Sequence, residues 1–176
     1  MAPSRAATGS DFAVLSRRIV GEGLMERRPT YYLARLSAVT LMFLGGWTAF
    51  FVIGSSWWQL VTAAFLAVTF TQVALVAHDL AHRQVFRTKR PSEVAGRLAG
   101  NLGIGMSYGW WQAKHNAHHA HPNDLTSDPD VHPGALVFDA GQALPRRGMA
   151  GWLTRHQAWL FVPLLSLEAM NLHVSS

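Results

Sequence analysis

The chain has 176 residues, 14% of them charged and 49% hydrophobic, with no cysteine and a formal net charge of +5. The missing cysteine excludes disulfides and thiolate metal sites, so any metal must be held by nitrogen or oxygen. A basic balance suits nucleic acid or an anionic membrane surface. No basic stripe interleaves with aromatics as a nucleic-acid groove requires, and seven Trp and nine Phe favour a lipid-facing protein.

Met1 to Ser10 is small and polar, with no apolar segment behind it of the kind a signal peptide needs, and residues 1–10 are expected to be disordered. Phe12, Leu15 and Ile19 recur at spacings of three and four. They predict a weak amphipathic helix over residues 11–26, interrupted by Gly21 and Gly23, lying either on a membrane surface or in solvent. Residues 1–30 thus form an amino-terminal tail. Arg27-Arg28-Pro29-Thr30 is a helix start signal with Thr30 as the expected N-cap, and Tyr31 and Tyr32 suit the headgroup level.

Leu36 to His78 is a run of 43 residues without Asp, Glu, Lys or Arg. Within it, residues 36–53 and 59–77 each approach the ~20 residues that cross a hydrocarbon core. Gly54-Ser55-Ser56-Trp57-Trp58 is the turn between them. A helical hairpin crossing twice is expected; a buried soluble hairpin is the alternative that so long an uncharged run disfavours. Six Arg precede Leu36 and nine Lys or Arg lie between Asp79 and Arg155, while the hairpin tip has none. The positive-inside rule places the amino terminus and both flanks in the cytoplasm.

Beyond the hairpin, Leu98 to Trp111 is apolar and Gly-rich but too short to span, which predicts an interfacial or re-entrant segment. Pro122 to Pro145 is loop-like. Residues 152–174 form a third apolar segment, a partial third span. Glu168 inside it is either an ionisable group at membrane depth, a functional candidate, or part of an interfacial helix. The expected fold class is all-α, a multi-pass set of membrane helices with a cytoplasmic histidine-rich region over residues 78–150.

That region carries two clusters, His78-Asp79-Leu80-Ala81-His82 and His115-Asn116-Ala117-His118-His119, with 32 residues between them. Positions i, i+3 and i+4 share a helix face, so His78 and His82 converge, as do His115, His118 and His119. Neutral imidazole suits Zn, Fe, Cu and Ni. Five such nitrogens exceed a closed structural zinc site and suggest two metals, or one with spare ligands. The H-E-x-x-H protease pattern is not met. His121 falls off the shared face, and His132, His156 and His173 stand singly, as surface or hydrogen-bonded histidines do. Pro122 is expected to end the second helix. Asn123, Asp128 and Asp130 either cap and hold the loop or orient the ligands from behind. Lys114 would meet an anionic headgroup, and Trp110 and Trp111 would seat at the interface or line an acyl groove.

The runs HDLAH and KHNAHHAHPNDLTSDPD resemble the membrane fatty acid desaturases. The resemblance extends from about Leu36 to the end, and the second box with its PN…DPD tail is its specific part. It implies a multi-pass helical protein with a non-haem di-iron centre. The ligands it carries over are His78 and His82 from the first box and His115, His118 and His119 from the second. It also implies O2 as co-substrate, a membrane-lipid or acyl substrate, and electrons from a separate ferredoxin or cytochrome b5-type donor, used to insert a cis double bond. No third box of the form HxxHH or QxxHH follows His119 in this sequence. Residues 31–176 are therefore expected to be a partial desaturase domain, an amino-terminal fragment that by itself binds two irons weakly or not at all. The alternatives are a related hydroxylase or ketolase, favoured less by the PN…DPD tail, an inactive remnant, or a His-rich metal-handling membrane protein. The clusters lie beyond the hairpin rather than inside it, which argues against transport.

Overall fold

The structure is a computed structural model, and it describes residues 10–176. The expectation of disorder over residues 1–10 falls outside the described residues except at Ser10. That residue caps α1 (Asp11–Gly21), its hydroxyl accepting the Ala13 N–H at 3.4 Å. Gly23, at φ +70°, turns the chain out of this helix, as the glycine spacing predicts.

Two long helices follow, α2 (Pro29–Ile53) and α3 (Gln59–Ala81). Their mean hydropathies of 1.9 and 2.1 and their lengths meet the requirement for crossing a membrane. At 1.5 Å per residue they reach about 37 and 34 Å, against a hydrocarbon core of about 30 Å. Both run longer than the expected spans. α2 begins at Pro29, so the expected cap at Thr30 is wrong: Arg28 is the N-cap and Pro29 occupies the first helical position. Proline is favoured there because its missing N–H would have no partner in the first turn. α3 continues through His78 to Ala81 with His82 as C-cap.

Gly54, at φ +63°, makes the turn between α2 and α3. Gln59 closes the turn by donating to the Phe50 and Gly54 carbonyls at 2.8 and 3.0 Å. Gly46 lets the helices approach, since a Cβ there would sit 2.5 Å from Leu66 Cδ2. Thr62 and Thr69 are buried and return their hydroxyls to the carbonyls four residues back, which satisfies them without a cross-helix partner.

Three further pieces pack round the lower end of α3. α4 (Lys89–Arg97) runs directly into a π-helical segment, Leu98–Gly103, and α5 (Tyr108–Ala120) follows. The core is Val39, Val73, Val76 and Leu80, with Leu36, Phe43, Ala95, Ala99 and Ile104 packed on it. The apolar stretch expected to be interfacial or re-entrant therefore splits in two. Its first half covers α3, and its second begins the helix of the second cluster. Gly96 and Gly100 make room for Tyr108, whose Cβ would stand 2.9 Å from a Cβ at Gly100. Gly105, at φ +73°, and the Ser107 cap redirect the chain into α5.

After a loop come α6 (Ala140–Ala143), α7 (Gly148–Ser166) and α8 (Glu168–Ser175). Pro163 lies inside α7, and the helix breaks at Leu167. Among the described residues, α2 and α3 are the two helices that meet the spanning criterion. Glu168 sits exposed in the first turn of α8 rather than mid-helix, where its carboxylate accepts from Asn171 Nδ2 at 3.2 Å. An acid at a helix start complements the positive end of the dipole. The described residues form no strand.

Candidate metal centre

The first cluster rides the last turn of α3 and the second lies along α5. Helical periodicity puts His78 and His82 on one side of α3, and Val73, Val76 and Leu80 on the other, against the core. α5 crosses that exposed side and brings His115 and His119 onto it. The ligand atoms of His78, His82, His115 and His119 all lie within 4.8 Å of one another. His82 Nε2 and His115 Nε2 are 2.9 Å apart. Trp111 stacks on the His115 ring at 4.6 Å and 15°, fixing its plane.

Crowded imidazoles resist protonation. Burial, then the neighbouring rings of His78, His119, His82 and His118, pull His115 down to about 4. Burial, with His78 and His119, also lowers His82. Neutral imidazoles are the metal-binding form. Four of them converging on one point, with no thiolate available, fit a divalent first-row metal ion such as iron.

His118 takes a different direction. Its Nδ1 donates to Asp128 at 2.9 Å and stands 3.4 Å from Asp130. Positions i+3 and i+4 differ by 100° around a helix, so His118 flanks the loop while His119 faces α3. Asp128 is fully buried. It accepts the N–H groups of Asn123 at 2.7 Å and Asp130 at 2.9 Å. Burial raises its pKa, and these hydrogen bonds with His118 outweigh that, leaving it below the ordinary carboxylate value. With both oxygens engaged, Asp128 is placed to orient His118 and to leave its Nε2 as the lone pair. Asn123 enters through its backbone, at φ +64°, a left-handed conformation that asparagine tolerates.

Lys114 is paired with Asp130, in the loop that folds back beside it. Pro122 follows the helix end: α5 stops at Ala120, with His121 as an exposed C-cap outside the cluster. His132 is exposed in the loop. His156 donates to its own helix at Trp152 O, 2.8 Å away. His173 donates to Ile104 O at 2.6 Å. Trp111 is half-buried against the histidines, and Trp110 is half-buried one position before it.

Sequence reasoning missed one pair. Arg35 and Asp79 meet at 3.3 Å between α2 and α3. They are the last charge before the uncharged run and the first after it. An antiparallel hairpin brings the ends of such a run together, so the signal was present. A cavity of about 340 Å³ lined by Leu36, Phe43, Val73, Val76, Leu80 and Leu102 opens on the face of α3 away from His78 and His82. It does not lead to the imidazoles.

Residues 55–174 match the family model described as fatty acid desaturase. A Delta(8)-fatty-acid desaturase of Helianthus annuus is 26% identical over 94% of this chain and 39% of its own length. Fatty acid desaturase 3 of Bos taurus is 31% identical over 76% of the chain and 30% of its length. The Delta(5) fatty acid desaturase fat-4 of Caenorhabditis elegans is 27% identical over 93% of the chain and 37% of its length. The chain thus spans about 40% of the length of such relatives. No solved structure matches it.

Proposed function

The chain belongs to the fatty acid desaturase family, and from that premise we propose that it carries the first two ligand boxes of an O2-dependent acyl desaturase. The observation that carries this reading is the convergence of His78, His82, His115 and His119 from two clusters with 32 residues between them in sequence. These four would hold one iron ion. His118, held by Asp128, would offer Nε2 toward a second, together with further donors from outside this set. Iron so bound supplies, with O2, two electrons and two protons, the oxidising power to take two hydrogens from adjacent methylenes and release two waters.

The chain's own residues do the rest. α3 and α5 hold the imidazoles on facing helices, and desolvation with the neighbouring rings lowers His82 and His115, favouring their neutral, metal-binding form. Asp128 fixes the tautomer of His118. Trp111 shields one face of His115 from water. α2 and α3 place the cluster at the end of a membrane-length hairpin, where an acyl chain within the bilayer can reach it. The electron donor would be a separate ferredoxin or cytochrome b5-type protein, and the cluster would face the cytoplasm.

Purified chain is expected to bind iron, and His119→Ala is expected to lower the bound iron severalfold. Equal iron in the two would remove the ligand assignment. The gene product carrying this chain, supplied with acyl lipid and reductant, is expected to yield a product lighter by two hydrogens by mass spectrometry. A product heavier by one oxygen would make it a hydroxylase.

A further inference from the structure

His82 differs from its three partners in one respect. His78, His115 and His119 lie inside helices, but His82 is the C-cap of α3, where its N–H still donates to His78 O and the chain leaves the helix after it. The next residue, Arg83, has φ +55°, a left-handed conformation that costs a bulky side chain energy unless its surroundings enforce it. The end of α3 holds part of this turn, since the Arg83 and Gln84 N–H groups each donate at 3.0 Å, to Leu80 O and Asp79 O, the usual closure by a left-handed residue. The carbonyls that follow need another partner.

Arg27 supplies that partner from 56 residues away. Its Nη1 donates to Arg83 O at 2.6 Å and to Phe86 O at 2.6 Å, with Gln84 O at 3.4 Å. Three carbonyls past the end of α3 thus converge on one guanidinium. A cation is well placed there, at the negative end of the helix dipole and on acceptors that α3 cannot satisfy. Arg27 lies two residues before Pro29, so the same contact joins the start of α2 to the end of α3.

We propose that Arg27 is a positioning residue for His82: by clamping the 83–86 turn, it holds the His82 ring in the four-imidazole cluster. The proposal rests on the metal-centre reading above. Arg28, its neighbour, has no such contact with the turn and serves as control.

The test uses the whole chain in detergent or nanodiscs, with Co²⁺ as the probe, since its visible bands report nitrogen ligation. Arg27→Ala is expected to weaken Co²⁺ binding about tenfold, within the range for residues that support ligands, and to shift the bands toward those of His82→Ala. Arg27→Lys should recover part of the loss, and Arg28→Ala should match the wild type. Adding Arg27→Ala to His82→Ala should cost little more, because both act through one ligand. Wild-type affinity in Arg27→Ala, or full additivity with His82→Ala, overturns the proposal. A nitroxide on Gln84→Cys gives a metal-free reading in this cysteine-free chain. Arg27→Ala should mobilise the label at 84 and leave one at Ser55→Cys unchanged. If the wild type takes up no Co²⁺, the metal reading fails and the label alone decides for or against the clamp: an unchanged spectrum at 84 overturns it.

Discussion

Asp128 and Asp124 lie four residues apart in one loop and do different work. Asp128 is sealed from solvent and spends its oxygens on His118, Asn123 and Asp130. Asp128→Ala frees the His118 ring, and it is expected to reduce metal affinity about 10- to 100-fold at the position that His118 serves; isothermal titration of the variant checks this. Asp124 is exposed and stabilises only the loop's own turn. The Thr126 hydroxyl and N–H, followed by the Ser127 N–H, hold its carboxyl below the usual value. A carboxylate with a depressed folded pKa stabilises the fold above its unfolded value of about 3.9 and loses that contribution as pH falls through the folded one. Unfolding midpoints measured from about pH 5 downward should therefore fall more steeply for the wild type than for Asp124→Asn.

Between elements, the contact that sets the cluster is the seat of Tyr108 on Gly96 and Gly100. Tyr108 opens α5 and is buried, so whatever moves its ring moves the helix that carries His115 and His119. A methyl at Gly96 would occupy the space of the phenol ring and its oxygen. Gly96→Ala is expected to cost about 1–3 kcal/mol, the usual range for overpacking, and to lower metal affinity as α5 is displaced. Thermal melts in detergent measure the first effect. Adding Tyr108→Leu should return much of the stability, because the crowded atoms are then gone. The π-helical segment serves the same seat: its extra residue per turn lets both Gly100 and Gly103 face neighbours, Tyr108 and Val73.

For the whole molecule, the expectation is a hairpin that crosses the bilayer with both clusters on the side of its open end. The exposed apolar faces of α2 and α3, including Leu41, Phe51, Leu60 and Val61, suit lipid contact. The tip bears Trp57 and Trp58, both exposed, which suits the opposite interface. Single cysteines at Ser55 and Gln84 in the cysteine-free chain should react with an impermeant maleimide from opposite sides of sealed vesicles. Reaction of both from one side would exclude the crossing.

The sequence alone determined the hairpin and the two histidine boxes. Hydropathy and spacings of three and four are local properties, and the helix transmits them directly to length and face. It also fixed which side of α3 bears His78 and His82. Tertiary structure alone decided that α5 crosses that side, because the crossing depends on Tyr108 seating on two glycines and on the turn at Gly105. It decided that His118 turns to Asp128 while His119 joins the cluster, a choice that 100° of helical rotation leaves open. It also placed the Arg27 guanidinium on carbonyls 56 residues further along the chain: backbone acceptors carry no residue-specific signal, so no pattern in the sequence marks them.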